Sequence, residues 1–251
     1  MSYEIFSVRN RKAIVTGGRR GLGRAMTEGL LSNGAEVTVV SREPLTDDLL
    51  AFARDSQSKL HWIGADLLDP GQRTALCARA SALMGGLDIL VNNAGIQVQA
   101  PLKDYQVDTF RNDYALMVEA PFDLARQAAG LMQQGGVIVN VSSISGFQGA
   151  RNISGYSTAK HAVVGLTKCL ANELASRGIR VNCLAPGLFD TDMAASTLSD
   201  PKKRSDMLGR IPSGRFGAPA DIIGPLLFLC SDAARHVHGT TLLVDGGWMG
   251  R

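Results

Sequence analysis

Seven short apolar runs, at about 12–16, 35–41, 60–64, 87–92, 136–142, 179–184 and 240–244, recur along the chain with longer segments of helical periodicity between them. Strands that alternate with helices return to one sheet through right-handed crossovers, which puts helices on both faces of parallel strands. The pattern predicts an α/β fold: a Rossmann-like, doubly wound parallel sheet of about seven strands, in a single domain over residues 1–251. A chain of 251 residues that is 45% hydrophobic has enough apolar side chains for such a core. Sheets of this kind bind ligands beyond the carboxyl ends of their strands, so the informative residues should cluster there.

Composition narrows the partners. Lys+Arg 26 against Asp+Glu 23 leaves a net charge of only +3, with no long basic run or interleaved aromatic stripe, so no nucleic-acid groove is expected. The triplet Lys202, Lys203 and Arg204 reads as a solvated face. Residues 1–18 set charges between short apolar runs and lack the continuous apolar stretch of a signal peptide or membrane span. Cys77, Cys169, Cys183 and Cys230 are scattered without zinc or redox spacing and suit a reducing compartment. A soluble, cytoplasmic protein without a metal centre is expected.

The segment from Ala13 to Gly23 reads as a strand, a glycine-rich turn and a helix start, with the spacing Gly17-x-x-x-Gly21-x-Gly23. Glycines let the backbone approach a pyrophosphate, and the free amides and dipole at a helix amino end favour its charge. Gly17, Arg19, Arg20, Gly21, Leu22 and Gly23 are therefore candidate cofactor contacts. Asp66 and Leu67 follow the third strand, where they suit the adenine edge; Asn92, Asn93, Ala94 and Gly95 follow the fourth. At the end of the second strand an acid would accept from a free ribose 2′-hydroxyl, but Ser41 stands there, followed by Arg42. Arg42 and Arg20 can converge on a 2′-phosphate, so NADP(H) is favoured, with NAD(H) the other option; Glu43 reads as a surface residue.

Ser143 at a strand end and Tyr156 and Lys160 on one helix form the second constellation. A four-residue interval places Tyr156 and Lys160 on one helical face, and the strand end brings Ser143 opposite. A phenol titrating near 10 is a poor base at neutral pH, but a neighbouring ammonium lowers it by about one to three units. Tyr156 would then exchange a proton with a substrate oxygen that Ser143 orients, leaving hydride chemistry to a nicotinamide, whose ribose Lys160 can reach.

These motifs, with Pro186-Gly187 and Asp245-Gly246-Gly247, stand in an order and spacing that resembles the short-chain dehydrogenase/reductase family over essentially the whole chain. The resemblance implies Tyr156 as general acid/base, Lys160 as its modulator and Ser143 as the carbonyl-orienting group. It also implies cofactor contacts from Pro186, Gly187, Leu188 and Thr191, the last to the nicotinamide carboxamide, and a homotetramer. The run from Arg210 to Gly217, the tail Asp245 to Trp248 and Phe147-Gln148-Gly149 are similar to the branch acting on 2-deoxy- or 2-keto-3-deoxygluconate, although Gln97-Val98-Gln99 lacks the basic residues expected there. Arg151, five residues before Tyr156, is a candidate partner for a substrate carboxylate.

The family's relay asparagine falls at Met117 in this register, and a thioether cannot replace an amide. The polar segment 188–210 suits a mobile substrate lid. Two other readings stay open at this point: a 3-oxoacyl carrier-protein reductase, and a catalytically quiet NADP-binding regulatory protein.

Overall fold

The computed structural model describes residues 4–191 and 199–250. Seven parallel strands form one sheet in the order β3-β2-β1-β4-β5-β6-β7. They are β1 (Lys12–Thr16), β2 (Glu36–Ser41), β3 (Leu60–Gly64), β4 (Ile89–Asn92), β5 (Val137–Val141), β6 (Arg180–Pro186) and β7 (Thr241–Val244). The helices are α1 (Gly21–Ser32), α2 (Asp47–Asp55), α3 (Pro70–Arg73), α4 (Leu76–Met84), α5 (Val107–Tyr114), α6 (Ala120–Leu131), α7 (Ser154–Leu174), α8 (Pro201–Leu208) and α9 (Ile223–Cys230).

Alternation along each strand divides the core. Ala13 and Val15 of β1 face one layer, with Leu30 and Leu31 of α1 and Leu226 and Leu229 of α9. Ile14 faces the other, with Leu76 of α4, Leu124 of α6 and Val163 of α7. Because side chains on a strand point to opposite faces in turn, strands such as β5, whose every residue is buried, bury both faces, as a two-sided sheet requires.

The expected strand positions hold to within two residues. β6 runs past residue 184 because Ala185 and Pro186 pair with Leu243 and Val244 of β7, a partner remote in sequence. Between α5 and α6 the residues Ala115–Glu119 form a π-helix. In the polar segment 188–210, Phe189 makes an isolated bridge to Gly217 and Asp200 caps α8, accepting from the amides of Lys202 and Lys203. The middle of the expected lid, 192–198, lies outside the described residues. Among the described residues no helix is long and apolar enough to cross a membrane.

Candidate active site

At the carboxyl edge of β1 the chain turns through Gly17 and Gly21, whose φ angles of +67° and +56° lie in the left-handed region open to glycine. A Cβ at Gly23 would collide with the Gly17 carbonyl and the Asn93 amide, so the turn and α1 approach closely because Gly23 has no side chain. Thr16 organises the neighbouring turn: its Oγ1 accepts from the amides of Asn93 (2.9 Å) and Ala94 (3.0 Å) and donates to the Val91 carbonyl. Asn93 Nδ2 donates back to the Thr16 carbonyl at 2.9 Å. Gly17, Asn93, Ala94 and Gly95 are thereby brought together. The residues fit a dinucleotide: no side chain caps the amides of the first turn of α1, and nothing stands within 4 Å of a Cβ built on Gly21. Leu22 opens α1 beside this cradle.

At the end of β2, Ser41 Oγ donates to the Glu43 carbonyl and accepts from Trp62 Nε1 at 3.1 Å. Arg42 and Arg20 form no ion pair among the described residues. The Arg19 guanidinium pairs with Glu43 at 2.8 Å and its Nε donates to the Pro44 carbonyl at 2.7 Å. Glu43 is thus a surface residue, as expected, and it occupies Arg19. Asp66 accepts from the Leu68 amide, whereas the Leu67 side chain is buried in the core, leaving only the Leu67 backbone at the site's edge; its carbonyl accepts from the buried Arg73.

Ser143 follows β5 and caps a short 3-10 turn, Ile144–Gly146, its Oγ accepting from the Ser145 amide. Tyr156 and Lys160 stand on the first turns of α7, and all three side chains are buried. Lys160 Nζ donates to the Val141 carbonyl at 2.7 Å, and Ser142 Oγ donates to the Lys160 carbonyl at 2.8 Å, so the end of β5 holds the helix at two points. The ammonium lies 5.5 Å from the centre of the Tyr156 ring. Electrostatics differ from the expectation of a depressed phenol. Burial pushes Tyr156 up, with a hydrogen bond to Ser143 pulling the other way. Burial also lowers Lys160 to about 8. Desolvation penalises each charged form more than the pair gains at this separation.

Pro186 ends β6, and the Gly187 amide donates to the Val244 carbonyl; a Cβ on Gly187 would lie 2.7 Å from Asp245 Cα. Leu188 is held by a bond from the Gly217 amide, and Thr191 is half-buried at the edge of the described residues. Asp245 accepts from the amides of Gly247 and Met249. Met117 is buried in the π-helix, and a Cβ on Gly95 would meet its Sδ at 3.3 Å. Arg151 is exposed and has no ion pair among the described residues.

Sequence reasoning missed a buried polar ladder beneath the site. Asn92 Nδ2 donates to Asn140 Oδ1 at 2.9 Å and Asn140 Nδ2 to Thr167 Oγ1 at 3.0 Å, tying β4, β5 and α7 together. Its available signal is Asn140 itself, an amide inside the apolar run Val137–Val141.

The glycine cradle beside a buried serine, tyrosine and lysine is the arrangement of a nicotinamide-dependent oxidoreductase, and the chain belongs to the short-chain dehydrogenase/reductase family. A family model described as enoyl-(acyl carrier protein) reductase matches residues 17–249. The protein is an NAD(P)-dependent oxidoreductase acting on CH–OH or C=O groups. It is 37% identical, over 99% of both chains, to a 2-dehydro-3-deoxy-D-gluconate 5-dehydrogenase of Pseudoalteromonas atlantica. It is 40% identical to a 3alpha-hydroxysteroid dehydrogenase of Mediterraneibacter gnavus, over 95% of this chain and 97% of the relative. Among solved structures, a gluconate 5-dehydrogenase from Burkholderia cenocepacia in complex with NADP and tartrate superposes with a TM-score of 0.90 at 31% identity, covering 99% of this chain and 98% of the other.

Proposed function

We propose that the protein is an NADP(H)-preferring dehydrogenase of a sugar acid or its keto form. The observation that carries the reading is the meeting of Ser143, Tyr156 and Lys160, buried at the carboxyl edge of the sheet beside the Gly17–Gly23 cradle. Bound there, the nicotinamide supplies or accepts the hydride. Ser143 orients the substrate oxygen. Tyr156 takes the hydroxyl proton as an alcohol is oxidised and returns it as a carbonyl is reduced, with Lys160 setting the local charge. Arg20 and Arg42, free of ion pairs among the described residues, support a 2′-phosphate, and the NADP held by the Burkholderia relative agrees with that preference. Arg151 is our candidate for the substrate carboxylate.

Segment 188–210 serves as the lid of a single 1–251 domain in this reading, and the enzyme works in the cytoplasm as a homotetramer. The exposed apolar side chains Val107, Phe110 and Tyr114 on α5, with Phe122 on α6, support an interface. A cofactor-coupled screen of sugar acids, ketoses, short ketones and acyl thioesters, run with NADPH and NADH in both directions, tests the function. Turnover of a sugar acid with NADP(H), lost by about 10²- to 10⁴-fold in Tyr156→Phe, is expected. Turnover confined to acyl thioesters would replace the substrate class, and full activity of Tyr156→Phe would reject the chemistry.

A further inference from the structure

The first turn of α7 carries Tyr156, yet the helix lacks a cap of its own. Its N-cap residue is Ile153, a β-branched hydrocarbon with φ −132° and ψ 41° and no side-chain bond to the helix amides. The first bond within the helix runs from the Ser157 amide to the Ile153 carbonyl, so the amides of Ser154, Gly155 and Tyr156 need partners from elsewhere. The Gly155 backbone lies against the phenol oxygen of Tyr105, whose hydroxyl donates to Asp113 Oδ2. Asp113, on α5, is fully buried, and its Oδ1 has no partner among the described residues. Burial raises its pKa, and burial with the Asp113 bond pushes the Tyr105 phenol up to about 12. Gly155 leaves no slack: a Cβ there would collide with Asp113 Oδ2 and lie 2.7 Å from Tyr105 Oη.

We propose that Tyr105 and Asp113 are positioning residues, a cap supplied from another element that fixes the first turn of α7 and with it the Tyr156 side chain. A buried acid is costly in a core and is otherwise unexplained here; facing the amino end of a 21-residue helix, it gains from the dipole and fills the place that Ile153 leaves empty. Tyr156 is the third residue of α7, within the turn that frays when a cap is lost. The inference rests on Tyr156 being the acid/base, and the experiment separates the two.

Hydrogen exchange should be followed across α7 in the full-length protein, alongside kcat and KM, for Asp113→Asn, Asp113→Val, Tyr105→Phe and Gly155→Ala. Asp113→Val and Tyr105→Phe should speed exchange in the first turn by about tenfold, leaving residues 161–174 unchanged, because a lost cap acts locally. They should lower kcat by a similar factor with KM for NADPH unchanged, while Asp113→Asn, which keeps an acceptor and the shape, retains most of both. Gly155→Ala should be harmful alone and nearly silent when added to a protein carrying both Asp113→Ala and Tyr105→Phe, which removes both close contacts. Exchange that stays unchanged, or rises uniformly along α7, overturns the cap. A Tyr156→Phe protein that still turns over would instead overturn the role of Tyr156 and leave the exchange result standing.

Discussion

Lys160 Nζ stands 5.5 Å from the centre of the Tyr156 ring, but its hydrogen bond goes to the Val141 carbonyl, so the lysine is anchored to the floor of the site beneath the tyrosine. Burial lowers it from 10.5 to about 8. Between those values the folded lysine is neutral while the unfolded one is still charged. The unfolded chain then binds more protons, and the lysine's contribution to stability grows as pH rises. Cys77, Cys183 and Cys230, whose thiols burial pushes up from 9.0, act in the opposite sense above that pH, so the comparison must be with a variant. Relative to Lys160→Met, the parent should gain about 2 kcal/mol of unfolding free energy from pH 8 to pH 10, read from denaturant melts. A constant difference would show that Lys160 titrates normally.

In the proposed reading, Ser41, Arg42 and Arg20 set the cofactor preference. Arg42→Asp should weaken NADPH binding roughly tenfold or more, the loss of one charge-assisted contact, and leave NADH nearly unaffected. Direct titration by nicotinamide fluorescence measures both constants. Equal weakening of the two cofactors would mean that Arg42 supports the turn and does not touch the 2′-phosphate.

Met117, expected from the family register to stand at the relay asparagine's place, lies against Gly95. Met117→Asn should raise kcat most where proton transfer limits turnover, with NADPH affinity almost unchanged. The amide enters a buried position, so a stability loss of about 1–3 kcal/mol should accompany the gain. A kcat that stays flat across pH would assign the proton path to another group.

Arg151 is tested by pairs of substrates. Arg151→Ala should raise KM for an acid several-fold and spare its uncharged analogue, because an exposed guanidinium acts mainly through its charge on the carboxylate. The same rise for both members of a pair removes Arg151 from the recognition site.

What the sequence determined was local or periodic. The alternation of apolar runs and helices specifies the parallel sheet, Gly17 and Gly21 specify a left-handed turn and Gly23 a close approach that a side chain would obstruct, and the four-residue interval puts Tyr156 and Lys160 on one face of α7. Tertiary structure decided the rest. Arg19 reads in sequence like its neighbour Arg20, and only the fold turns it onto Glu43, 24 positions away. Lys160 reads as a cation that lowers a phenol, until burial under β5 makes both charges expensive. Ile153 gives the start of α7 no side-chain cap, and Tyr105 and Asp113, which lie against its first turn, arrive from α5 and the loop before it. Periodicity reports which face of an element is buried, but bond partners and charge states depend on which remote groups share that buried space, and long-range packing alone sets them.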